Sequence, residues 1–243
     1  MTSSGRVRRS ENGTEGPVVW PPGWHVEHVE STGSTNADLL LAAESGAPDR
    51  SVLFTDHQTA GRGRLDRVWS APPGSNLLVS LLFRNAPDDP GELTRRVGLA
   101  AVGAAAEIAG VAAVLKWPND VLVDERKLAG ILAQRTQGGT VVIGLGMNVG
   151  WSPDGAARLG DGISPHQVLE SLLRSFDRLP ADIEPAYRSA LDTIGRRVRI
   201  ELPVGELVGT AIDIETDGRL VVLDECAVTH RVSVGDIVHL RPT

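Results

Sequence analysis

Cysteine is almost absent from this chain. Cys226 is the only one in 243 residues, which rules out an intramolecular disulfide and leaves no cysteine-based metal site to build. A basic surplus is missing too. The 24 lysines and arginines stand against 31 aspartates and glutamates, for a net charge of −7, whereas a face that grips nucleic-acid phosphates needs the opposite balance. Any arginine cluster here is therefore local. Nor is there a long apolar run: the best, residues 77–83, is interrupted by Ser80 and falls far short of the roughly 20 residues that span a bilayer. The N-terminal Arg6, Arg8 and Arg9 lead into polar residues with none of the apolar stretch of a secretory signal. These absences point to a cytoplasmic protein with no DNA and no membrane among its partners.

What is present suffices for a globular fold, since 41% of the residues are hydrophobic and a chain of this length buries a real core. Residues 1–23 are rich in Gly, Ser, Glu, Arg and Pro without periodicity and read as a flexible tail. From Trp24 short strands and helices alternate. Strands are expected at 25–29, 51–56, 76–83, 114–117 and 141–146, with a hairpin of 121–123 and 128–133 around the polar 124–126. Helices are expected at 34–43, capped at its start and followed by Gly46, then at 93–110, 164–179 and 182–193. This pattern predicts an α+β fold whose central sheet is mixed or mostly antiparallel, with helices packed on it. After Gly195 the character changes. Short strands at 198–202, 207–214, 220–223, 228–232 and 237–240, divided by Gly or Asp-Gly turns, suggest a small β-barrel. The expected division is a tail at 1–23, a main domain at 24–194 and a C-terminal domain at 195–243.

The segment from Thr59 to Trp69 reads TAGRGRLDRVW. Gly61 and Gly63 let the backbone come close to a ligand, and Arg62, Arg64 and Arg67 offer planar forks that pair bidentately with carboxylate or phosphate. A solvated surface turn would carry the same residues. Three further blocks accompany the loop: STGSTN at 31–36, KWPNDVLV at 116–123 running on to KLAGIL at 127–132, and GLGMNV at 144–149.

In this order the four blocks resemble the catalytic domain of the biotin protein ligases, which share a fold ancestry with lipoate ligases and class II aminoacyl-tRNA synthetases. The C-terminal strands are similar in pattern to the SH3-like domain that ends those enzymes. The first 23 residues are too few for the DNA-binding domain some of them carry, so the resemblance is to the monofunctional type. It implies a ligase that joins biotin to ATP as biotinyl-5′-AMP, releases pyrophosphate, and then passes biotin to a lysine of a biotin carboxyl carrier domain, working as a monomer or weak homodimer.

The roles follow residue by residue from that resemblance. Lys127 would bridge the biotin carboxylate and the α-phosphate, where two negative groups meet and fixed positive charge lowers the barrier; without its block it would read as a hairpin lysine in solvent. Arg62 would close over the biotin, Arg64 would contact carboxylate and phosphate, and Asp120 would orient or deprotonate the incoming lysine. Ser34, Thr35, Asn36 and Gln58 would hold the ureido ring, with Gly61 beside them, although Ser34 and Thr35 also suit helix capping. Gly130 would let the bicyclic ring lie against a strand. Arg67, Trp69, Lys116, Asn119 and Asn148 would surround the nucleotide, with Trp69 stacked near the adenine; a lone Trp is otherwise core. Asp66 is expected to face solvent or pair with Arg67. Mg2+ is implied because ATP binds as its magnesium complex, with no ligand to name. Rival readings are a lipoate or octanoyl transferase of the same superfamily and a nucleotide-sensing protein without catalysis.

Overall fold

The computed structural model describes residues 19–87, 89, 91–202, 205–233 and 235–239. The expected tail falls mostly outside them, and its described end is packed: the Trp20 ring meets Phe54 edge-on at 5.9 Å. Leu240, the end of the last expected strand, and the Asp66 side chain also lie outside the described set.

Seven strands form the main sheet, in the order β1-β2-β3-β7-β6-β5-β4. They are β1 (His25–Thr32), β2 (Ser51–Gln58), β3 (Leu77–Phe83), β4 (Val114–Lys116), β5 (Asp120–Val123), β6 (Arg126–Arg135) and β7 (Val141–Met147). Only β1 and β2 run parallel, and the crossover that a parallel pair requires is supplied by α1 (Thr35–Glu44). Helix α2 (Gly91–Ala109) packs on α3 (Pro165–Asp177); Ala100, Ala101, Ala104 and Ala105 are wholly buried, and such small side chains let helices approach closely.

Every residue of β3 is buried. Leu77, Val79, Leu81 and Phe83 belong to the large core beneath α2 and α3, while Leu82 joins the smaller core under α1. A strand covered on both faces loses the apolar-polar alternation and reads as a continuous apolar run. Ser80, two residues from Leu82, shares the α1 face, because strand side chains alternate.

A second, antiparallel sheet forms the C-terminal SH3-like module in the order β11-β10-β9-β8-β12. Its strands are β8 (Arg197–Glu201), β9 (Glu206–Ile214), β10 (Leu220–Asp224), β11 (Thr229–Val232) and β12 (Asp236–His239). The helix expected at 182–193 is shorter: α4 runs Glu184–Ala190. Beyond it Leu191 forms a parallel bridge with Leu115, and the Asp192 amide donates to the Leu115 carbonyl at 2.8 Å. The outer edge of β4 thus captures backbone that would otherwise have continued the helix. Among the described residues no helix is long and apolar enough to cross a membrane.

Candidate active site

Strand register clears a floor in the main sheet. Ser80, Gly144 and Leu132 stand side by side across β3, β7 and β6, and Leu78, Gly146 and Gly130 form the next row. Alternation puts both rows on the α1 face. Glycine is demanded at two of these places and favoured at a third. A Cβ on Gly144 would come within 2.9 Å of Asn36 Cγ, one on Gly146 within 2.6 Å of Trp69 Nε1, and one on Gly130 within 3.3 Å of the indole and 3.1 Å of Lys127 Nζ. The signal was present in the sequence as Gly144-Leu-Gly146, two glycines at strand spacing, which mark a close approach of other groups.

Above this floor opens a cavity of about 620 Å3. It gathers most of the expected residues, namely Ser34, Thr35, Asn36, Gln58, Arg62, Arg64, Arg67, Trp69, Asn119, Asp120, Lys127, Gly130 and Asn148. Residues that the sequence did not single out, among them Pro153, Ala156 and Gln134, complete the wall.

The closed end lies at the N-terminus of α1. Ser34 is the N-cap residue, yet its hydroxyl makes no capping bond. The capping acceptor comes from the neighbouring strand: Gln58 Oε1 takes the Thr35 backbone N–H at 2.9 Å and lies 3.2 Å from the Thr35 hydroxyl. This satisfies one of the free amides at the helix start. Asn36 is buried and fully engaged, donating from Nδ2 to the Leu132 carbonyl and to Gln134 Oε1 while Oδ1 faces the Ser80 hydroxyl.

The arginine segment forms a narrow hairpin-like loop. Trp69 N–H donates to the Gly61 carbonyl at 3.0 Å and Gly63 N–H to the Arg67 carbonyl at 2.7 Å, with Arg62 bridged to Val68. Gly61 is buried in the stem of this loop, off the cavity surface. Leu65 at the tip adopts φ 55° and is exposed. Arg64 reaches inward, donating to Asn119 Oδ1 and to the carbonyl of Gly235, both at 3.1 Å. The C-terminal module therefore touches the loop directly, a contact between distant segments that no local pattern encodes.

At the open end Lys127 Nζ stands 2.6 Å from Asp120 Oδ1, with the lysine side chain 40% exposed. The ammonium also lies 5.7 Å from the centroid of the Trp69 ring. The hairpin carrying this pair turns at Asp124 and Glu125, with φ of 49° and 62°; positive φ at both central residues is the tight-turn geometry that matches strand twist.

Of three residues expected around the nucleotide, two line the cavity and one does not. Lys116 lies on β4, off the cavity wall, where its charge acts on His239; on so short an edge strand, next to the C-terminal sheet, it faces the junction. Asn148 is buried, its Nδ2 donating to the carbonyls of Lys127 and Ala157 and its Oδ1 accepting from Asn76. It clamps the chain after β7. Trp69 lies flat over the paired Gly130 and Gly146, among the residues expected to hold biotin, and its buried Nε1 has no hydrogen-bond partner among the described residues.

At the junction with the C-terminal module, the Trp117 amide donates to Thr193 Oγ1, which lies 3.2 Å from His239 Nε2. Burial, with the nearby charges of Lys116 and Arg196, pulls the His239 pKa from 6.5 down to about 4. The neighbouring Arg196 guanidinium is held above its ordinary range by its hydrogen bond to Asp192.

The model of the biotin/lipoate A/B protein ligase family matches residues 28–148, and that of the biotin protein ligase C-terminal domain matches residues 193–240. The biotin--[acetyl-CoA-carboxylase] ligase of Mycobacterium tuberculosis is 42% identical over 90% of this chain and 91% of that protein. The chain belongs to the biotin protein ligase family. The bifunctional ligase/repressor BirA of Bacillus subtilis is 31% identical over 82% of this chain and 69% of its own length. Among solved structures, the biotin protein ligase of Aquifex aeolicus in complex with biotin and ATP shares the fold, with a TM-score of 0.78, 24% identity and coverage of 89% of this chain and 99% of that one.

Proposed function

We propose that this chain activates biotin with ATP and transfers the biotinyl group to a lysine of a biotin carboxyl carrier domain. The observation that carries the reading is one cavity that brings neutral hydrogen-bonding groups at Thr35 and Gln58 together with the cationic side chains of Lys127, Arg62 and Arg67. An acid with a polar ring at one end and a carboxylate at the other fits both. Biotin would enter ring first, its ureido group at Ser34, Thr35 and Gln58 and its bicycle against the Trp69 indole, with the carboxylate beside Lys127.

A carboxylate oxygen then attacks the α-phosphorus, the bond to pyrophosphate breaks, and an acyl-adenylate forms. Lys127 stabilises the negative charge that gathers between the two reacting groups. The carrier lysine next attacks the acyl carbon, AMP leaves, and the amine gives up a proton. Asp120, once Lys127 turns to the ligand, is the carboxylate at the mouth able to orient or accept from that amine. Arg62 and Arg67 meet the phosphates from the loop, and Arg64, with Asn119, ties the loop to the sheet.

Among the described residues no group of three or more His, Cys, Asp or Glu side chains is arranged to hold a metal ion. Mg2+ is usually carried on substrate phosphates with one or two carboxylates and several waters, and the ion would neutralise triphosphate charge. Residues 24–194 would form the catalytic domain and 195–243 the C-terminal one. The protein would act in the cytoplasm, as a monomer or weak homodimer.

Biotin-dependent exchange of labelled pyrophosphate into ATP tests the reading, followed by label transfer to a carrier domain. Absence of exchange with biotin overturns it. Exchange with lipoate or octanoate instead would make the chain a ligase of another acid in the same superfamily, for which the polar end at Thr35 and Gln58 is a poor fit because its buried groups would be left unpaired.

A further inference from the structure

Lys127 lies where the regular ladder of the main sheet breaks off. On one side the register with β5 slips between Val121 and Leu122, so that Leu122 faces Lys127, Val121 faces Ala129 and Leu128 has no partner. A bulge of this kind re-aims the side chains around it. On the other side the pairing with β7 ends at Ala129 and Met147. The Lys127 carbonyl is left to donors outside the ladder, and it finds two, the Ala157 N–H at 2.9 Å and Asn148 Nδ2 at 3.3 Å. The next carbonyl, of Leu128, accepts the Asn148 backbone N–H at 2.9 Å.

A second asparagine decides which way the Asn148 amide faces. Asn76 and Asn148 follow directly on Leu77 and Met147, the last pair of β3 and β7, and both are buried, at 2% and 3% exposed. Asn76 Oδ1 accepts the backbone N–H groups of Val149, at 2.9 Å, and Trp151, at 3.2 Å. A backbone N–H can only donate, so these two pin the Asn76 oxygen and leave its Nδ2 facing Asn148 Oδ1, at 3.3 Å. That contact directs Asn148 Nδ2 at the carbonyls of Lys127 and Ala157. Turned the other way, Asn148 would set its oxygen against two carbonyl oxygens and its amino group against another amino group.

We propose that Asn76 is a positioning residue for the reaction: through Asn148 it holds the backbone of Lys127 at the bulge, so that the ammonium meets the reacting groups at a fixed place. Asn76 lies off the cavity wall and touches no ligand. The inference rests on the biotin reading and deepens it, since it concerns only how Lys127 is held. A misplacement of about 1 Å caused from a distance can cost about a hundredfold in rate. Biotin binding, assigned above to Thr35 and Gln58, should scarcely feel it.

The test uses the full chain and biotin-dependent pyrophosphate exchange. Asn76→Asp keeps an acceptor for the Val149 and Trp151 amides but sets an oxygen against Asn148 Oδ1; kcat should fall about 10- to 100-fold, with the KM for biotin within about twofold. A double-mutant cycle with Lys127→Ala makes the comparison decisive. With the lysine gone there is nothing left to aim, so Asn76→Asp should lower the residual rate by less than about twofold. Asn76→Ser, too short to reach Asn148, should behave in the same way and serves as the variant if the aspartate fails to fold. A purely structural role would lower the melting temperature and cut the rate by the same factor with Lys127 present or absent; that result, or an unchanged kcat in a folded variant, overturns the inference. Wild-type protein without biotin-dependent exchange would instead sink the biotin reading, and this inference with it.

Discussion

The two ends of the cavity are built on opposite terms. At the closed end Thr35, Asn36 and Ser80 are buried, uncharged and bonded to one another. At the open end Arg62 and Arg67 are exposed and Lys127 sits half in solvent beside Asp120. Neutral hydrogen bonds sealed from water have fixed directions and punish the wrong partner, so the closed end is suited to choosing a ligand. Charges at a solvent edge contribute little to stability, about 0–1 kcal/mol per pair, and so exchange partners at little cost. That end is suited to handling groups whose charge changes during a reaction. Selection and chemistry are separated along one cavity.

The sharpest way to break this contrast is Lys127→Ala. If the open end acts on the transition state and not on folding, pyrophosphate release should fall by about 10²–10³ while the melting temperature stays within about 2 °C, since the lost Asp120 pair is partly exposed and screened by solvent. A variant that keeps a near-normal rate, or one that unfolds, would remove the distinction from this side.

Gly144→Ala attacks the other end. Its new Cβ would press on the Asn36 amide, and overpacking of this kind costs about 1–3 kcal/mol. Because the Ser80 hydroxyl joins Asn36 to Thr35, the loss should appear as weaker biotin binding by about 5- to 100-fold, with the rate at saturating biotin little changed; calorimetry against single-turnover kinetics separates the two. Unaltered biotin affinity would mean that the closed end is less rigid than its bonding suggests.

Much of the fold was legible from local pattern. The strand at 25–29, the helix at 34–43 and the hairpin around 124–126 each follow from side-chain period or turn chemistry. The four motif blocks likewise marked most of the cavity wall. What local pattern could not carry was adjacency across strands. Trp69 lies with Gly130 because Gly130 and Gly146 are register partners, a relation between β6 and β7 that neither segment encodes alone. Asn148 lines the cavity and also clamps the chain, since Asn76, Lys127 and Ala157 converge on it from distant segments. Ser80 looked like a flaw in an apolar run, and only the docking of α1 gives its hydroxyl partners. The Gly235 carbonyl on Arg64 belongs to the same class, joining positions 171 residues apart.

A smaller effect comes from behind the open end, where the Trp117 amide, Thr193 and His239 join the main sheet to the C-terminal module. His239 is held neutral, with Lys116 and Arg196 opposing its protonation and Asp192 and Glu125 favouring it, and its folded pKa is about 4 against 6.5 for the free side chain. Between those values the unfolded chain binds the proton and the folded chain does not, so stability is complete above about pH 6.5 and declines as the pH falls toward 4. The cost should be about 1–2 kcal/mol once solvent screening is allowed for, or roughly 2–8 °C in melting temperature for a chain of this size. His239→Gln should flatten that slope between pH 7 and 5, and an equal slope in both proteins would clear His239 of the effect. Acidification should also touch the two ends unequally. The strand leading to Asn119 and Asp120 hangs on this latch, whereas Ser80, Thr35 and Asn36 have no titrating group among their hydrogen-bond partners. Transfer to the carrier lysine should therefore weaken near pH 5 before biotin binding does; a parallel loss of both would show that the latch supports the whole cavity and not its mouth alone.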